Sequence, residues 1–389
     1  MDLVVTAKEL NGSITPPPFK SEVLRALILN GLCGMRPDVL LDPSYEYCDD
    51  ILNASKAVEA AFFSDASFET PIPVGESAAL IRMLAPVLLF LRGKAEFSCA
   101  PSLMRRSMLE LRDSLECSVR HDAGSGTIIF SDCRHKGSDF TVSAANSSQF
   151  ASGMLIAAAV LGARVRIDSA VSVPYIDLTL RCLSRFGVSF RTDPDGYFRA
   201  SGRLSGNTCF SFQPDMSYAA NFTAAEFVTG GASRVAVIGS ELGRAQPDAD
   251  AREFFSKNAP DVSNCPDLFP ILCVCALKKR EDTVIIGTAR LGDKESDRVT
   301  SVKALTEALG GSMDVRSNSV VVHGCGGRLT GGTVQSFGDH RIVMAASIAS
   351  MMCSEPVVIS GAQAVSKSAP CFFNDFRKLG GIAYEYDRE

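Results

Sequence analysis

The sequence predicts an α/β fold divided between two domains, and three observations carry that expectation. At 389 residues the chain exceeds what one ordinary core holds, whereas two domains of that combined length each bury a core without staples. Between about Thr127 and Arg191, short apolar runs alternate with helical periodicities, which reads as a β-α-β-α-β unit with short loops. The alternation returns later, with helices expected at 216–228, 267–277, 294–309, 339–351 and 366–379 and strands at 234–238, 283–286, 319–322 and 356–359.

Taken in order, the chain starts on a strand at Leu3–Val5, and Thr15-Pro16-Pro17-Pro18-Phe19 then forces an extended backbone. A helix follows from Ser21 through Leu32, with Lys20, Ser21 and Arg25 at or near its start. Pro73-Val74-Gly75-Glu76-Ser77-Ala78 is a small-residue turn entering a helix that carries Arg82, a place where backbone N–H groups approach an anion closely. It is no dinucleotide fingerprint, because GxGxxG is absent. Arg105-Arg106 supplies a second basic point. Within the 127–191 unit, strands are expected at 127–130, 164–167 and 188–191 and helices at 147–161 and 175–186. The first of these helices opens on Ser147-Ser148-Gln149, more polar donors than a single cap needs. The second follows Ser172-Val173-Pro174-Tyr175, where proline in the first turn is ordinary. Gly239–Asp250 reads as a loop or a degenerate unit.

Composition excludes several classes. With 39 Lys+Arg against 44 Asp+Glu, the net charge of -5 gives no global attraction to nucleic acid or to an anionic membrane, so basic sites are local. The 13 cysteines include no CxxC pair; Cys273 and Cys275 flank a valine inside an apolar helical run, which is wrong for a zinc site. An odd cysteine count, and no secretory pattern at Met1-Asp2-Leu3, argue for a reducing cytoplasm as the expected compartment. The longest apolar stretch, Ala79–Leu91, is shorter than a bilayer span and carries Arg82.

The recurring signal is the composition of the helix starts. Asp215, Asp267, Lys294/Glu295, Asp339-His340-Arg341 and Lys367 all fall at expected starts, with Lys294, Glu295 and Arg298 placed in one first turn. A helix N-terminus already carries partial positive charge, so carboxylates there are dipole grammar, while cations repeated at four starts cost stability unless an anion arrives. Such an arrangement suits a doubly anionic substrate pair with acid/base groups among the cations.

On these residues the sequence resembles the 5-enolpyruvylshikimate-3-phosphate (EPSP) synthase family of enolpyruvyl transferases. The stretches that carry the resemblance are Lys20-Ser21-x-x-x-Arg25, Gly75-Glu76-Ser77-x-x-x-x-Arg82, Leu103-x-x-Arg106, Ser147-Ser148-Gln149, Ser172-x-Pro174-Tyr175-Ile176-Asp177, Pro266-Asp267, Lys294-Glu295-Ser296-Asp297-Arg298, Asp339-His340-Arg341 and Lys367-Ser368. Each alone is weak; nine in register over nearly the whole chain are specific. The resemblance implies a two-domain inside-out α/β barrel built of repeated βαβαββ units. One domain, 14–220, would face shikimate-3-phosphate, and 1–13 with 221–389 would form the other, the active site lying in the cleft between them.

The family's roles carry over by position. Ser147, Ser148 and Ser172 would bind the 3-phosphate of shikimate-3-phosphate with Lys294 assisting, and Ser21, Arg25 and Tyr175 would line its ring. Arg298 and Arg341 would hold the carboxylate of phosphoenolpyruvate, while Lys20, Arg106, Gln149 and Lys367 would hold its phosphate. Ala78, Arg290 and His340 complete the expected binding set. Asp267 and Glu295 would be the catalytic carboxylates, with Lys20 or Lys294 as cationic partners. No metal or organic cofactor is implied, no nucleic acid or membrane partner is expected, and the chain would act as a monomer on its two small-molecule substrates. Departures from the pattern are Ala78 where the family has glycine, Phe19 before Lys20, Ser107 after Arg106 and Cys371 after Pro370. The Ala78 methyl is expected to narrow the phosphoenolpyruvate pocket against glyphosate, a longer mimic. Several connections look too short for six complete repeats. Competing readings are a transferase acting on a UDP-amino sugar, whose loop cysteine motif has no clear counterpart here, and an inactive homologue that only binds phosphometabolites.

Overall fold

The computed structural model describes residues 1–64, 70–135 and 137–386. Contacts divide the chain into two compact units, one of residues Lys20–Phe212 and one that joins Met1–Phe19 to Gln213–Glu389. The chain thus leaves the second unit after Phe19 and re-enters it at Gln213.

The 20–212 unit opens on two helices, Lys20–Leu32 and Asp49–Phe62. Two complete βαβαββ sets follow. In the first, strands Ile72–Gly75 and Ala95–Cys99 run parallel around helix Ala78–Arg92, and Thr127–Ser131 and Ser118–Asp122 complete the sheet antiparallel. In the second, Asp139–Ser143 and Arg164–Asp168 pair in parallel around helix Ser148–Leu161, with Phe140 opposite Val165. Helix Val173–Arg185 then leads into Val188–Thr192 and Phe198–Gly202, which close that sheet antiparallel. Each four-stranded sheet follows the same order of strands. Parallel neighbours need a crossover, and the helices supply it. Helices 78–92 and 148–161 are apolar on nearly every face, as fully buried helices are. Gly153 lets them touch, since a Cβ there would stand 2.0 Å from the Arg82 carbonyl oxygen.

The other unit contains one complete set and two reduced ones among the described residues. Gly332–Gln335 and Val357–Ser360 run parallel around helix His340–Ala349, and helix Phe372–Lys378 precedes Ile382–Glu385. The strand completing that sheet is Asp2–Thr6, inserted antiparallel between 357–360 and 382–385. Its apolar centre, Leu3-Val4-Val5, is buried, as a strand covered on both faces requires. Thr283–Ile286, Ser319–His323 and Ser312–Val315 form a three-stranded sheet beside helices Phe269–Lys278 and Arg298–Ala308. A single parallel bridge, Asp261 to Ile286, stands where a fourth strand would pair. Asn11–Ile14 and Arg234–Val237 make only a parallel pair next to helix Met216–Val228. Residues 239–250, read as a loop or degenerate unit, contain one short 3-10 turn, Ser240–Gly243.

Three expected helix starts need correction. The helix expected from Lys294 begins at Arg298, because the Asp297 carboxylate caps it by accepting from the Thr300 N–H, which leaves Lys294 and Glu295 in the approach and outside the first turn. Asp267 lies in a 3-10 turn, Pro266–Leu268, and the α-helix proper starts at Phe269. Lys367 ends a 3-10 helix, Ala362–Lys367, with the expected 366–379 helix reduced to Phe372–Lys378.

Candidate functional site

Within the 20–212 unit, the predicted residues gather at the starts of four helices. Lys20 opens the first helix, and its Nζ lies 2.8 Å from the carboxylate of buried Asp50. Arg25, one turn on, is buried and tied entirely to protein atoms: Nε donates to Thr179 Oγ1 (2.8 Å), Nη1 to the Ser21 carbonyl (2.7 Å), and Nη2 to Ser152 Oγ (3.0 Å) and the Tyr175 carbonyl (3.2 Å). Burial lowers its pKa, and the hydrogen bonds keep the guanidinium solvated by protein. Ser147 caps helix 148–161, its hydroxyl accepting from the Gln149 N–H at 3.3 Å, and both Ser147 and Ser148 are buried. The Gln149 side-chain carbonyl accepts from Arg82 (3.0 Å), whose other arm reaches the Ser107 carbonyl (3.2 Å) while its guanidinium lies 4.5 Å over the Phe150 ring.

Ser172 precedes helix 173–185 with φ at 50°, a left-handed conformation that costs a non-glycine residue about 1–2 kcal/mol. Ala78 is the first residue of helix 78–92 and is buried, just after the turn at Gly75. That glycine is required, since φ is 56° and a Cβ would meet the Asn53 amide at 2.6 Å. Arg106, half-buried, ends the 3-10 turn Leu103–Arg105.

The second cluster lies in the other unit and is built around Arg298, whose side chain is 1% exposed. Its Nε donates to Asp339 (3.0 Å), Nη1 to Asp267 (2.7 Å) and Nη2 to Glu295 (2.7 Å). The second oxygen of Asp267 accepts from Arg341 Nη2 at 2.7 Å, so one carboxylate bridges two guanidinium groups. Asp339 is buried and does double work: one oxygen caps helix 340–349 by accepting from the Arg341 N–H (2.9 Å), and the other accepts from Arg298 and from Ser296 Oγ (3.3 Å). His340 is buried in the same first turn, its Nδ1 3.8 Å from Asp339. Arg290 donates to the Ser263 carbonyl, and Lys367 is buried at the end of its 3-10 helix.

These contacts set the charges. Burial works to raise the Asp267 pKa, but Arg341, Arg298 and Lys294 outweigh it and hold the carboxylate ionised, well below the usual range. Burial likewise opposes charge on Arg298, and Asp339, Glu295 and Asp267 more than reverse it. Lys294 has the contrary balance: burial pushes its pKa down to about 8, with Arg298 and Arg290 adding to the fall and Asp267 opposing it. A lysine poised there exchanges protons near neutrality, beside a carboxylate that is fully ionised.

Asp248 was not anticipated. It is buried, one oxygen accepts from Ser217 Oγ, and burial together with the Asp267 charge raises its pKa to about 7. Nothing in the sequence separates it from the other acids of the Gly/Pro/Asp-rich 239–250 stretch. Asp50 was missed for a similar reason, being one of two acids at a helix start where the dipole favours them anyway. Ser152 and Thr179 did leave a signal: they stand four residues after Ser148 and Tyr175, the helical spacing that stacks side chains on one face.

The family model for EPSP synthase (3-phosphoshikimate 1-carboxyvinyltransferase) matches residues 4–376. A 3-phosphoshikimate 1-carboxyvinyltransferase of Methanocorpusculum labreanum is 30% identical over 427 aligned positions, covering 98% of this chain and 99% of the relative. One from Thermococcus kodakarensis is 30% identical over 400, covering 95% and 98%. Among solved structures, EPSP synthase from Acinetobacter baumannii superposes with a TM-score of 0.72 at 19% identity, over 99% of this chain and all of that one. The enolpyruvyl transferase NikO from Streptomyces tendae gives 0.71 at 13% identity, over 98% of each. These structures share the two-domain α/β fold expected from the sequence. The chain belongs to the EPSP synthase family.

Proposed function

We propose, with family membership as the premise, that this chain transfers the enolpyruvyl group of phosphoenolpyruvate to the 5-hydroxyl of shikimate-3-phosphate and releases inorganic phosphate. The observation that carries the chemistry is Asp267, an ionised carboxylate shared by Arg298 and Arg341 at 2.7 Å each, with Lys294 nearby at a pKa of about 8.

In the addition step the 5-hydroxyl oxygen bonds to C2 of phosphoenolpyruvate, its proton passes to a base, and an acid delivers a proton to C3, which becomes a methyl group. In the elimination step C3 returns a proton, the C2–C3 double bond re-forms, and the C2–oxygen bond to phosphate breaks. Two groups able to both give and take protons meet this demand. Asp267 and Glu295 are the carboxylates proposed for it, with Lys294 or Lys20 as cationic partner. Arg298 and Arg341 present planar forks suited to a carboxylate. A substrate carboxylate entering those forks competes with Asp267, and loss of its arginine partners raises the Asp267 pKa toward the range where it acts as a base. The hydroxyls of Ser147, Ser148 and Ser172 are proposed for the 3-phosphate, Ser21, Arg25 and Tyr175 for the ring, and Lys20, Arg106, Gln149 and Lys367 for the phosphoenolpyruvate phosphate. The chain is further proposed to act as a monomer in the cytoplasm; among the described residues no helix is long and apolar enough to cross a membrane.

Purified protein given phosphoenolpyruvate should release phosphate when shikimate-3-phosphate is present and not when a UDP-amino sugar replaces it. Release with the UDP-amino sugar alone would transfer the reading to that acceptor. Tight binding without turnover would leave a phosphometabolite-binding protein.

A further inference from the structure

Three helices of the 20–212 unit meet at a buried polar knot that the reading above leaves without a role. Thr179 and Ser152 are both completely buried, in helices 173–185 and 148–161. Thr179 Oγ1 accepts from Arg25 Nε at 2.8 Å and lies 2.8 Å from Ser152 Oγ and 3.0 Å from the Tyr175 carbonyl. Ser152 Oγ accepts from Arg25 Nη2 at 3.0 Å and donates to the Ser148 carbonyl at 3.1 Å. Each hydroxyl has one hydrogen and two lone pairs. Arg25 donates to both hydroxyls and Ser152 donates to Ser148, while the single hydrogen of Thr179 is shared between two acceptors, Ser152 Oγ and the Tyr175 carbonyl. The knot is therefore directional, and its ends are the residues proposed to touch substrate: Ser21 and Arg25 on one helix, Ser148 on the second, Tyr175 on the third.

A hydroxyl bonding back to the carbonyl four residues earlier is common inside helices and does nothing by itself for function. Here the two back-bonding residues also supply both side-chain acceptors that hold the Arg25 guanidinium. Four of its five N–H groups are engaged by protein, which holds the fork in one orientation. Arginine carries large rotamer freedom, so fixing the fork before the ligand arrives removes an entropic cost from binding.

We propose that Thr179 and Ser152 are positioning residues of this reaction, which aim Arg25 and set Ser148 and Tyr175 for the shikimate-3-phosphate ring and phosphate without touching the substrate. The inference rests on the proposed function and deepens one half of its binding set. Thr179→Val keeps the volume and removes the acceptor for Arg25 Nε. It should raise the KM for shikimate-3-phosphate about tenfold, the scale of one lost hydrogen bond to a charged group. The KM for phosphoenolpyruvate and kcat should change less than about threefold. Thr179→Ser, which restores the hydroxyl, should return the KM to the parent value, and Ser152→Ala should reproduce the valine effect.

The experiment is steady-state kinetics on the full chain with both substrates varied, beside Arg25→Ala and with folding checked by circular dichroism and thermal unfolding. If Arg25→Ala raises the shikimate-3-phosphate KM while folded Thr179→Val and Ser152→Ala leave it unchanged, the knot is only a packing device and the proposal is overturned. The same conclusion follows if kcat and both KM values move together, or if the serine variant fails to rescue. Should Thr179→Val not fold, Ser152→Ala and Thr179→Ser decide the matter by the same comparison. A parent that turns over no shikimate-3-phosphate defeats the functional reading itself, and this inference with it.

Discussion

Asp267 is held ionised by two arginines, and that arrangement is the residue-level core of the account. Asp267→Asn keeps the shape and removes the charge, so kcat should fall by roughly 10²–10⁴ with smaller changes in KM; a fall confined to KM would make Asp267 a binding residue. Lys294 yields a pH prediction. Its pKa of about 8 leaves it protonated below that pH and neutral above it. The KM for shikimate-3-phosphate should therefore rise as pH passes 8, and Lys294→Arg, charged throughout, should lack that alkaline limb. An identical limb in the arginine variant would assign it to another group. Asp248 gives a stability test with a definite sign. Its folded pKa, about 7, exceeds that of an unfolded aspartate, so the native state binds the extra proton between about pH 4 and 7 and loses stability as pH rises through that window. Relative to Asp248→Asn, which stays neutral and retains an acceptor for Ser217, the parent should lose thermal stability from pH 4 to 7. Parallel Tm curves would contradict this. Of these three residues, Asp267 and Lys294 were legible because charged residues recur at the expected helix starts and both fall in stretches that carry the family resemblance. Asp248 was not, since its properties come from burial and from neighbours distant in sequence.

At the scale of single elements, the helix starts were readable in kind and displaced in place. Asp297 and Lys294 both fit the N-terminal pattern, and only the capping bond to Thr300 shows that the helix begins at Arg298. The consequence is chemical: Lys294 and Glu295, freed from helical geometry, approach Arg298 and Asp267 from an irregular segment. The short strands of the reduced sets, such as Ser312–Val315, alternate polar and apolar residues over only four positions, too short a run to read as a strand. Gly153 gives the test for packing. An added Cβ would stand 2.0 Å from the Arg82 carbonyl oxygen, a backbone atom that cannot step aside. Gly153→Ala should destabilise the protein by roughly 1–3 kcal/mol, seen as a lower midpoint in urea. An unchanged midpoint would mean that helices 78–92 and 148–161 do not cross where the structure puts them.

For the whole molecule, the α/β class followed from alternation that survives in any window of the 127–191 region. The repeat behind it was harder to see, because its completion is non-local. The sheet of 332–335, 357–360 and 382–385 takes its remaining strand from Asp2–Thr6, more than 300 residues away, a pairing no local pattern reports. Among the described residues two sets also have fewer strands, three and two, so the period is irregular along the chain. The chemistry assigned to this fold is addition followed by elimination through a methyl group at C3, and running the reaction in deuterium oxide tests it most directly. Deuterium should enter the C3 position of the enolpyruvyl product and of recovered phosphoenolpyruvate, at a rate cut sharply in Asp267→Asn. Phosphate release with no deuterium at C3 would contradict the mechanism, and full incorporation in Asp267→Asn would remove that carboxylate from it.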